Sequence, residues 1–244
     1  MRPIARPTDV ERIAGAAPTL IFLHEGLGSR SAWRDFPAAL AQATGCGAIV
    51  ASRAGYGQAP PRAGWPVSFM HDEARALAVD GDAILVGHSD GASIALLYAA
   101  VHPVRALILL APHVFVEDKT VAAIAALRSQ PELVERLSKH HADARATFDG
   151  WTGVWLDPAF RAWNIESCLA EVRAPTLVIQ GEDDEYGTVA QVDAIRRQLG
   201  APCTTLMLPE CGHSPHRDQR ERTLAAMAAF VQSITSTSAG GGSA

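Results

Sequence analysis

Gly87-His88-Ser89-Asp90-Gly91 is the stretch that organises this chain. The apolar run Ala83-Ile84-Leu85-Val86 leads into it, and residues 92–100, Ala-Ser-Ile-Ala-Leu-Leu-Tyr-Ala-Ala, follow with helical character. The order is strand, tight turn, helix, with a serine at the turn and a glycine two residues to either side. A serine on so sharp a turn has strained backbone, and the residues flanking it crowd one another. Gly87 and Gly91 carry no Cβ and relieve that crowding. The turn lifts the Ser89 hydroxyl clear of the strand end and aims the N-terminus of the next helix at it. Free N–H groups and the positive end of the helix dipole there favour a developing anion. The pattern G-x-S-x-G in this setting predicts a nucleophile elbow.

Outward from the turn, apolar runs and helical stretches alternate. Residues 19–23, Thr-Leu-Ile-Phe-Leu, form a continuous apolar run, the mark of a strand buried on both faces. Further strands are expected at 48–51, 106–111, 176–180 and 203–208, with a short edge strand at 10–13 and otherwise irregular chain over 1–18. Helices are expected at 31–43 (ended by Gly45), 69–79, 189–199 and 220–234; in the last, Leu224, Met227 and Val231 recur at three and four residues. Such alternation implies an α/β fold, a mostly parallel sheet of about six to eight strands with helices on both faces. It breaks between 112 and 173, where no strand is evident, helices are expected at 120–129 and 132–148, and Trp151, Trp155, Phe160 and Trp163 cluster. This segment reads as a helical cap inserted into the core at the strand ends. The expected division is therefore core at 1–111, cap at 112–173, core again at 174–235, and a disordered Ser/Gly-rich tail at 236–244.

Composition narrows the function. The chain has 244 residues, 48% apolar and 19% charged, with formal net charge −5, enough for one domain with a sizeable core. It has no basic run to meet nucleic acid, no apolar run near the roughly 18 residues of a membrane span, and no apolar core behind Met1-Arg2-Pro3 to make a signal peptide. The four cysteines, Cys46, Cys168, Cys203 and Cys211, are too scattered for a disulfide framework and suit a reducing, cytoplasmic setting. The spacing Cys211-x-His213-x-x-His216 matches none of the strong zinc patterns, so no metal is expected. The partner implied is a small molecule, acted on by a monomer or homodimer.

A serine nucleophile needs a base, and the base needs an acid that holds its tautomer. The strand at 176–180 ends in Gly181-Glu182-Asp183-Asp184-Glu185, and the last strand is followed by Pro209-Glu210-Cys211-Gly212-His213-Ser214. Four acids are more than a turn requires, and Gly212 lets His213 point back across the sheet.

Together with His24-x-x-x-Gly28 after the first buried strand, these motifs resemble the α/β-hydrolase fold family over roughly residues 19–234. Within it the chain looks most like small cap-bearing serine esterases and enol-lactonase-like members. The resemblance implies Ser89 as nucleophile, His213 as base, and Asp184 as acid, the third residue after the strand-end glycine; Asp183 is the neighbouring alternative. It places the oxyanion-hole N–H groups at Gly26 and Asp90 and implies cofactor-free hydrolysis of carboxylic esters or lactones. Glu25, His113, Trp151, Trp155 and Trp163 are candidates for the substrate pocket, although the aromatic residues equally suit a core between cap and body. His24 reads as a loop anchor and His88 as a packing residue. His140 and His141 are expected on a solvated helix, and Glu182 and Asp183 on a solvated loop edge.

The chain departs from the family pattern in three places. Glu25 stands where glycine is common, and could pair with Arg30, Arg34 or Arg53. The loop after the second buried strand is altered to Ser52-Arg53-Ala54-Gly55-Tyr56-Gly57, and Asp90 follows the nucleophile. The same three catalytic groups also serve relatives that cleave carbon–carbon bonds, transfer acyl groups or make peracids. A ligand-sensing protein without turnover is the non-enzymatic alternative. Dehalogenase and epoxide hydrolase chemistry is disfavoured because those relatives carry Asp at the position of Ser89.

Overall fold

The structure, a computed structural model, describes residues 8–130 and 132–239. Seven strands form one sheet: β1 (Val10–Ile13), β2 (Ala16–Leu23), β3 (Cys46–Ala51), β4 (Ala83–His88), β5 (Ala106–Leu110), β6 (Thr176–Gly181) and β7 (Cys203–Leu208). Their spatial order is β1-β3-β2-β4-β5-β6-β7, and only β1 runs antiparallel to its neighbour. The helices are α1 (Phe36–Thr44), α2 (Phe69–Ala76), α3 (Asp90–Ala99), α4 (Asp118–Arg128), α5 (Glu132–Leu137), α6 (Ala144–Trp155), α7 (Glu166–Leu169), α8 (Val189–Gln198), α9 (Pro215–Asp218) and α10 (Arg220–Ala239). No helix among the described residues is long and apolar enough to cross a membrane.

The continuous apolar runs are explained by two separate cores. Side chains alternate across the pleat, so Leu85, Leu107, Leu109 and Val178 point to one face and Ile84, Val86, Ile108, Leu110 and Ile179 to the other. The first set packs under α2, α3 and α8, through Phe69, Met70, Leu96 and Ile195. The second packs under α1 and α10, through Phe36, Leu40, Met227 and Val231. Each such buried side chain contributes about 1.5–3 kcal/mol of transfer free energy.

Element boundaries differ from expectation where local chemistry intervenes. β2 begins at Ala16 rather than residue 19, because the ladder shifts register between Ala16 and Leu20 and so accommodates Pro18, which has no N–H to give. The helix expected over 31–43 is split into a 3-10 turn, Arg30–Trp33, and α1, separated at Arg34 (φ +53°). Gly45 closes α1 at φ +73°, its N–H bonded to the Ala41 carbonyl. At the C-terminus, α10 runs to Ala239, through part of the stretch expected to be disordered. Thr235 and Ser236 return their hydroxyls to the carbonyls of Val231 and Gln232 rather than competing with the helix. Residues 240–244 and 1–7 lie outside the described residues.

Between β5 and β6 lie α4 to α7 and a 3-10 turn, Pro158–Ala162, with no strand among the described residues beyond a single Phe115–Asn164 bridge. The helix expected over 132–148 is broken in two. Asp143 caps α6 by accepting from the Ala146 N–H at 2.9 Å. His141 is not solvated as expected but buried: Nδ1 accepts from the Gly57 N–H at 3.0 Å and Nε2 donates to the Leu27 carbonyl at 3.1 Å. His140 does stay exposed, within 3.0 Å of the Ser31 hydroxyl.

The strand order reverses between β2 and β4, where connections leave β2 toward β3 on one side and reach β4 on the other. Open α/β sheets bind ligands in the crevice at such a point, outside the carboxyl ends of the strands.

Leu109 is fully buried beneath α3, whereas Val101 is 74% exposed. Leu109→Ala is expected to lower stability by about 2–5 kcal/mol and Val101→Ser by less than about 0.5 kcal/mol, measured by urea unfolding. Equal costs would show that this face of the sheet is not the packed core.

Candidate active site

Ser89 caps α3 with φ +54° and ψ −119°, its N–H donating to the Leu110 carbonyl at 2.9 Å. The flanking glycines are required by backbone approach. A Cβ on Gly91 would lie 2.1 Å from the Leu23 carbonyl oxygen, and one on Gly87 would lie 2.5 Å from the Ala92 Cα. The first turn of α3 therefore rests directly on the end of β2.

The loop after β2 is anchored as expected by His24. Its Nδ1 donates to the Glu25 carbonyl at 2.8 Å and its Nε2 accepts the Arg53 N–H at 3.1 Å. Burial, reinforced by the Arg53 charge, lowers its pKa to about 3, so the ring is neutral. Gly26 follows in the same loop, with the Trp151 indole packed so closely that a Cβ at Gly26 would lie 2.2 Å from Nε1.

Asp184, not Asp183, meets the histidine. His213 Nδ1 lies 2.9 and 2.8 Å from the two Asp184 carboxylate oxygens, while Glu182 and Asp183 are exposed as expected. Asp184 is buried and also accepts from the N–H groups of Tyr186 (2.7 Å) and Gly187 (3.1 Å) and from Gln180 Nε2 (2.6 Å). Burial alone would raise its pKa. The His213 hydrogen bond and charge, with the two backbone donors, outweigh burial and hold the carboxyl well below the usual range. With Nδ1–H given to Asp184, the Nε2 of His213 carries the lone pair. No hydrogen bond joins it to the Ser89 hydroxyl among the described residues, although both residues line one cavity of about 210 Å³.

His88 does more than pack. Its Nε2 donates to the His213 carbonyl at 2.7 Å, and its Nδ1 faces Glu25 Oε2 at 3.4 Å. Glu25 does not pair with Arg30, Arg34 or Arg53. Its carboxylate sits between His88 and Arg217, the latter at 3.5 Å, while Arg53 donates to the Glu25 carbonyl at 3.1 Å and bonds the Glu73 carboxylate at 2.6 Å. Arg30 is spent on Asp9 and Glu11. Burial opposes the Glu25 charge, but the His88 contact and Arg217 hold its carboxyl well below the ordinary range.

Of the other pocket candidates, Glu25, His113, Trp151 and Trp155 line the cavity with Leu27, Ile124 and Leu127. His113 is buried, its ring centroid 5.7 Å from that of His213; burial and the neighbouring His213 charge lower its pKa to about 3. Trp163 is not in the lining. It stacks on Phe160 at 5.5 Å and contacts Trp155 at 6.4 Å, inside the core, because the 3-10 turn at Pro158–Ala162 folds it inward. Asp90, expected to lend its N–H and to bring a charge near His213, has a buried carboxylate that accepts from Trp151 Nε1 at 2.7 Å. Burial pushes its pKa up to about 6, against the pull of Arg53 and the Trp151 hydrogen bond. The links from Gln180, His88, Arg217 and Trp151 were not anticipated; the last three join residues far apart in the chain and leave no spacing pattern, and Gln180 lies four residues before Asp184 at the end of a strand read only as apolar.

The fold has many solved counterparts. A thermophilic esterase from Thermogutta terrifontis superposes with a TM-score of 0.69 at 18% identity, covering 92% of this chain and 93% of that one. A serine hydrolase involved in carbazole degradation gives 0.68 at 22% identity, covering 91% and 95%. A proline iminopeptidase from Mycobacterium smegmatis gives 0.70 at 20%, covering 94% and 95%. These likenesses bear on the fold. No curated protein matches in sequence. The family model described as the alpha/beta hydrolase family matches residues 20–226, which take in the second half of β2, β3 to β7, the elbow and the Asp184–His213 couple. A match of that extent makes this chain a member of the alpha/beta hydrolase family.

Proposed function

We propose that the protein is a serine hydrolase that cleaves carboxylic ester or lactone bonds of small, largely apolar substrates through an acyl-enzyme. The observation that carries this is the Asp184–His213 couple opening into the cavity that the Ser89 hydroxyl enters. Asp184 holds the Nδ1–H tautomer, so Nε2 is free to accept a proton. Ser89 Oγ attacks the carbonyl carbon and its proton passes to Nε2. The oxyanion is received by the backbone N–H groups of Gly26 and Asp90, the second at the start of α3 where the dipole assists. His213 then gives its proton to the departing alcohol oxygen. Water, deprotonated by the same nitrogen, repeats the attack on the acyl-enzyme and releases the acid.

The substrate class follows from the walls. Leu27, Ile124, Leu127, Trp151 and Trp155 present apolar surface, and about 210 Å³ suits a short acyl or aryl group rather than a long chain. Residues 112–173 act in this reading as the cap that supplies Ile124, Leu127 and both tryptophans. Removing water strengthens the interactions made by the oxyanion donors.

Ser89→Ala is expected to lower kcat/KM for p-nitrophenyl butyrate by about 10⁴-fold or more with unchanged circular dichroism. A fluorophosphonate is expected to label Ser89 in the wild type, as read by peptide mass mapping. Turnover by the variant close to wild type would exclude Ser89 as nucleophile. The depressed pKa of Asp184 has its own consequence. Its charge contributes fully to stability above the unfolded value of about 3.9 and is lost as pH falls through the lower folded value. The urea-unfolding stability of wild type relative to Asp184→Asn is therefore expected to decline between about pH 4 and pH 2. A constant difference across that window would show that Asp184 is not held as a paired anion.

A further inference from the structure

Two hydrogen-bond donors that converge on one oxygen must be held at a fixed separation, and here they come from different elements. Gly26 belongs to the loop after β2, and Asp90 opens α3. One side chain touches both. The Trp151 indole, carried in by α6, packs on Gly26 at the limit of contact and donates Nε1–H to Asp90 Oδ2 at 2.7 Å. Both partners are buried. That bond is the single directional contact of the Asp90 carboxylate among the described residues, since Oδ1 has no hydrogen-bond partner and the Arg53 guanidinium stands off at 3.9 Å. Trp155 and Trp163, in the same helical segment, have indole N–H groups with no partner among the described residues. The hydrogen bond of Trp151 therefore sets it apart from its neighbours.

We propose that Trp151 is a positioning residue that sets the distance between the Gly26 and Asp90 N–H groups, acting through its contact with Gly26 and its hydrogen bond to the Asp90 carboxylate. The proposal rests on the serine hydrolase reading above. A displacement of about 1 Å in such a constellation costs on the order of 10²-fold in rate. Because the donors grip the oxyanion more tightly than the ground-state carbonyl, the loss falls on kcat rather than KM. The arrangement also draws the negative charge of Asp90 toward the indole N–H and Arg53 and away from the oxyanion. The helical segment thus supports the chemistry directly as well as covering it.

The test is steady-state kinetics with p-nitrophenyl butyrate on Trp151→Phe, Asp90→Leu, Asp90→Asn, the double variant Trp151→Phe/Asp90→Leu, and Trp163→Phe. Trp151→Phe and Asp90→Leu are each expected to lower kcat by about tenfold or more with KM changed by less than about threefold. Asp90→Asn, which keeps an oxygen acceptor for the indole, is expected to stay at least about fivefold above Asp90→Leu in kcat. The double variant is expected within about twofold of the worse single variant, because both remove one interaction. Trp163→Phe is expected within about twofold of wild type. The proposal is overturned if Trp151→Phe or Asp90→Leu keeps wild-type kcat, if the losses appear in KM alone, if they add in the double variant, or if Asp90→Asn is as impaired as Asp90→Leu. Should Trp151→Phe fail to fold, the two Asp90 variants decide. Failure of the underlying reading looks different: the wild type then neither turns over the ester nor is labelled at Ser89 by fluorophosphonate.

Discussion

The site depends on one close crossing of backbone. Where β2 and β4 lie side by side, the first turn of α3 presses onto the Leu23 carbonyl with no room for a side chain at residue 91, and Gly87 meets Ala92 almost as tightly. A larger residue at either position would push α3 off the sheet. The helix start would then no longer point at the Ser89 hydroxyl, and the Asp90 N–H would leave its place. The strained φ of Ser89 is held by that contact and by the 2.9 Å bond from its N–H to Leu110. Two glycines in the sequence thus set the spatial relation between the Ser89 hydroxyl, a helix dipole and the adjacent loop.

Around this crossing, charge is arranged in separate compartments. Asp184 is kept ionised by donors on three sides, while His24 and His113 are kept neutral by burial. Glu25 keeps its charge by leaning on His88 and Arg217, and His88 in turn holds the carbonyl of the residue whose side chain faces Asp184. The loop bearing His213 is therefore gripped at its ring, at its N–H by Glu185, and at its carbonyl. A ring held at three points has little freedom left to lose; under the proposed hydrolase reading, that would lower the entropic part of the barrier.

The sheet, the elbow and the acid–histidine couple were legible in the sequence because each has a local signature: buried runs for strands, glycines at fixed offsets for the turn, an acid after a strand-end glycine. Asp184 could be told from Asp183 only through a family pattern; in the fold it is Asp184 that meets the His213 ring and accepts from the backbone N–H groups of Tyr186 and Gly187. What stayed hidden was tertiary. His141 looked like a solvated helix residue because the polarity around it is high, yet it is buried in the loop between α5 and α6 and bonds two distant loops. Arg217 gave no hint that it would reach Glu25, and Trp163 sat in the same aromatic cluster as Trp151 and Trp155 while facing the core. Periodicity reports which face of an element is apolar, not which neighbour a long side chain will choose.

His141 has a mechanical implication. Its ring spans the gap between the Gly57 N–H and the Leu27 carbonyl, and the adjacent Ala142 N–H bonds the Gly57 carbonyl. Lifting this end of the helical segment would strand three hydrogen bonds at once, each costing about 1–3 kcal/mol if left unmade in a buried setting. The segment behaves at that corner as a riveted plate, so any movement of it has to hinge elsewhere along its length.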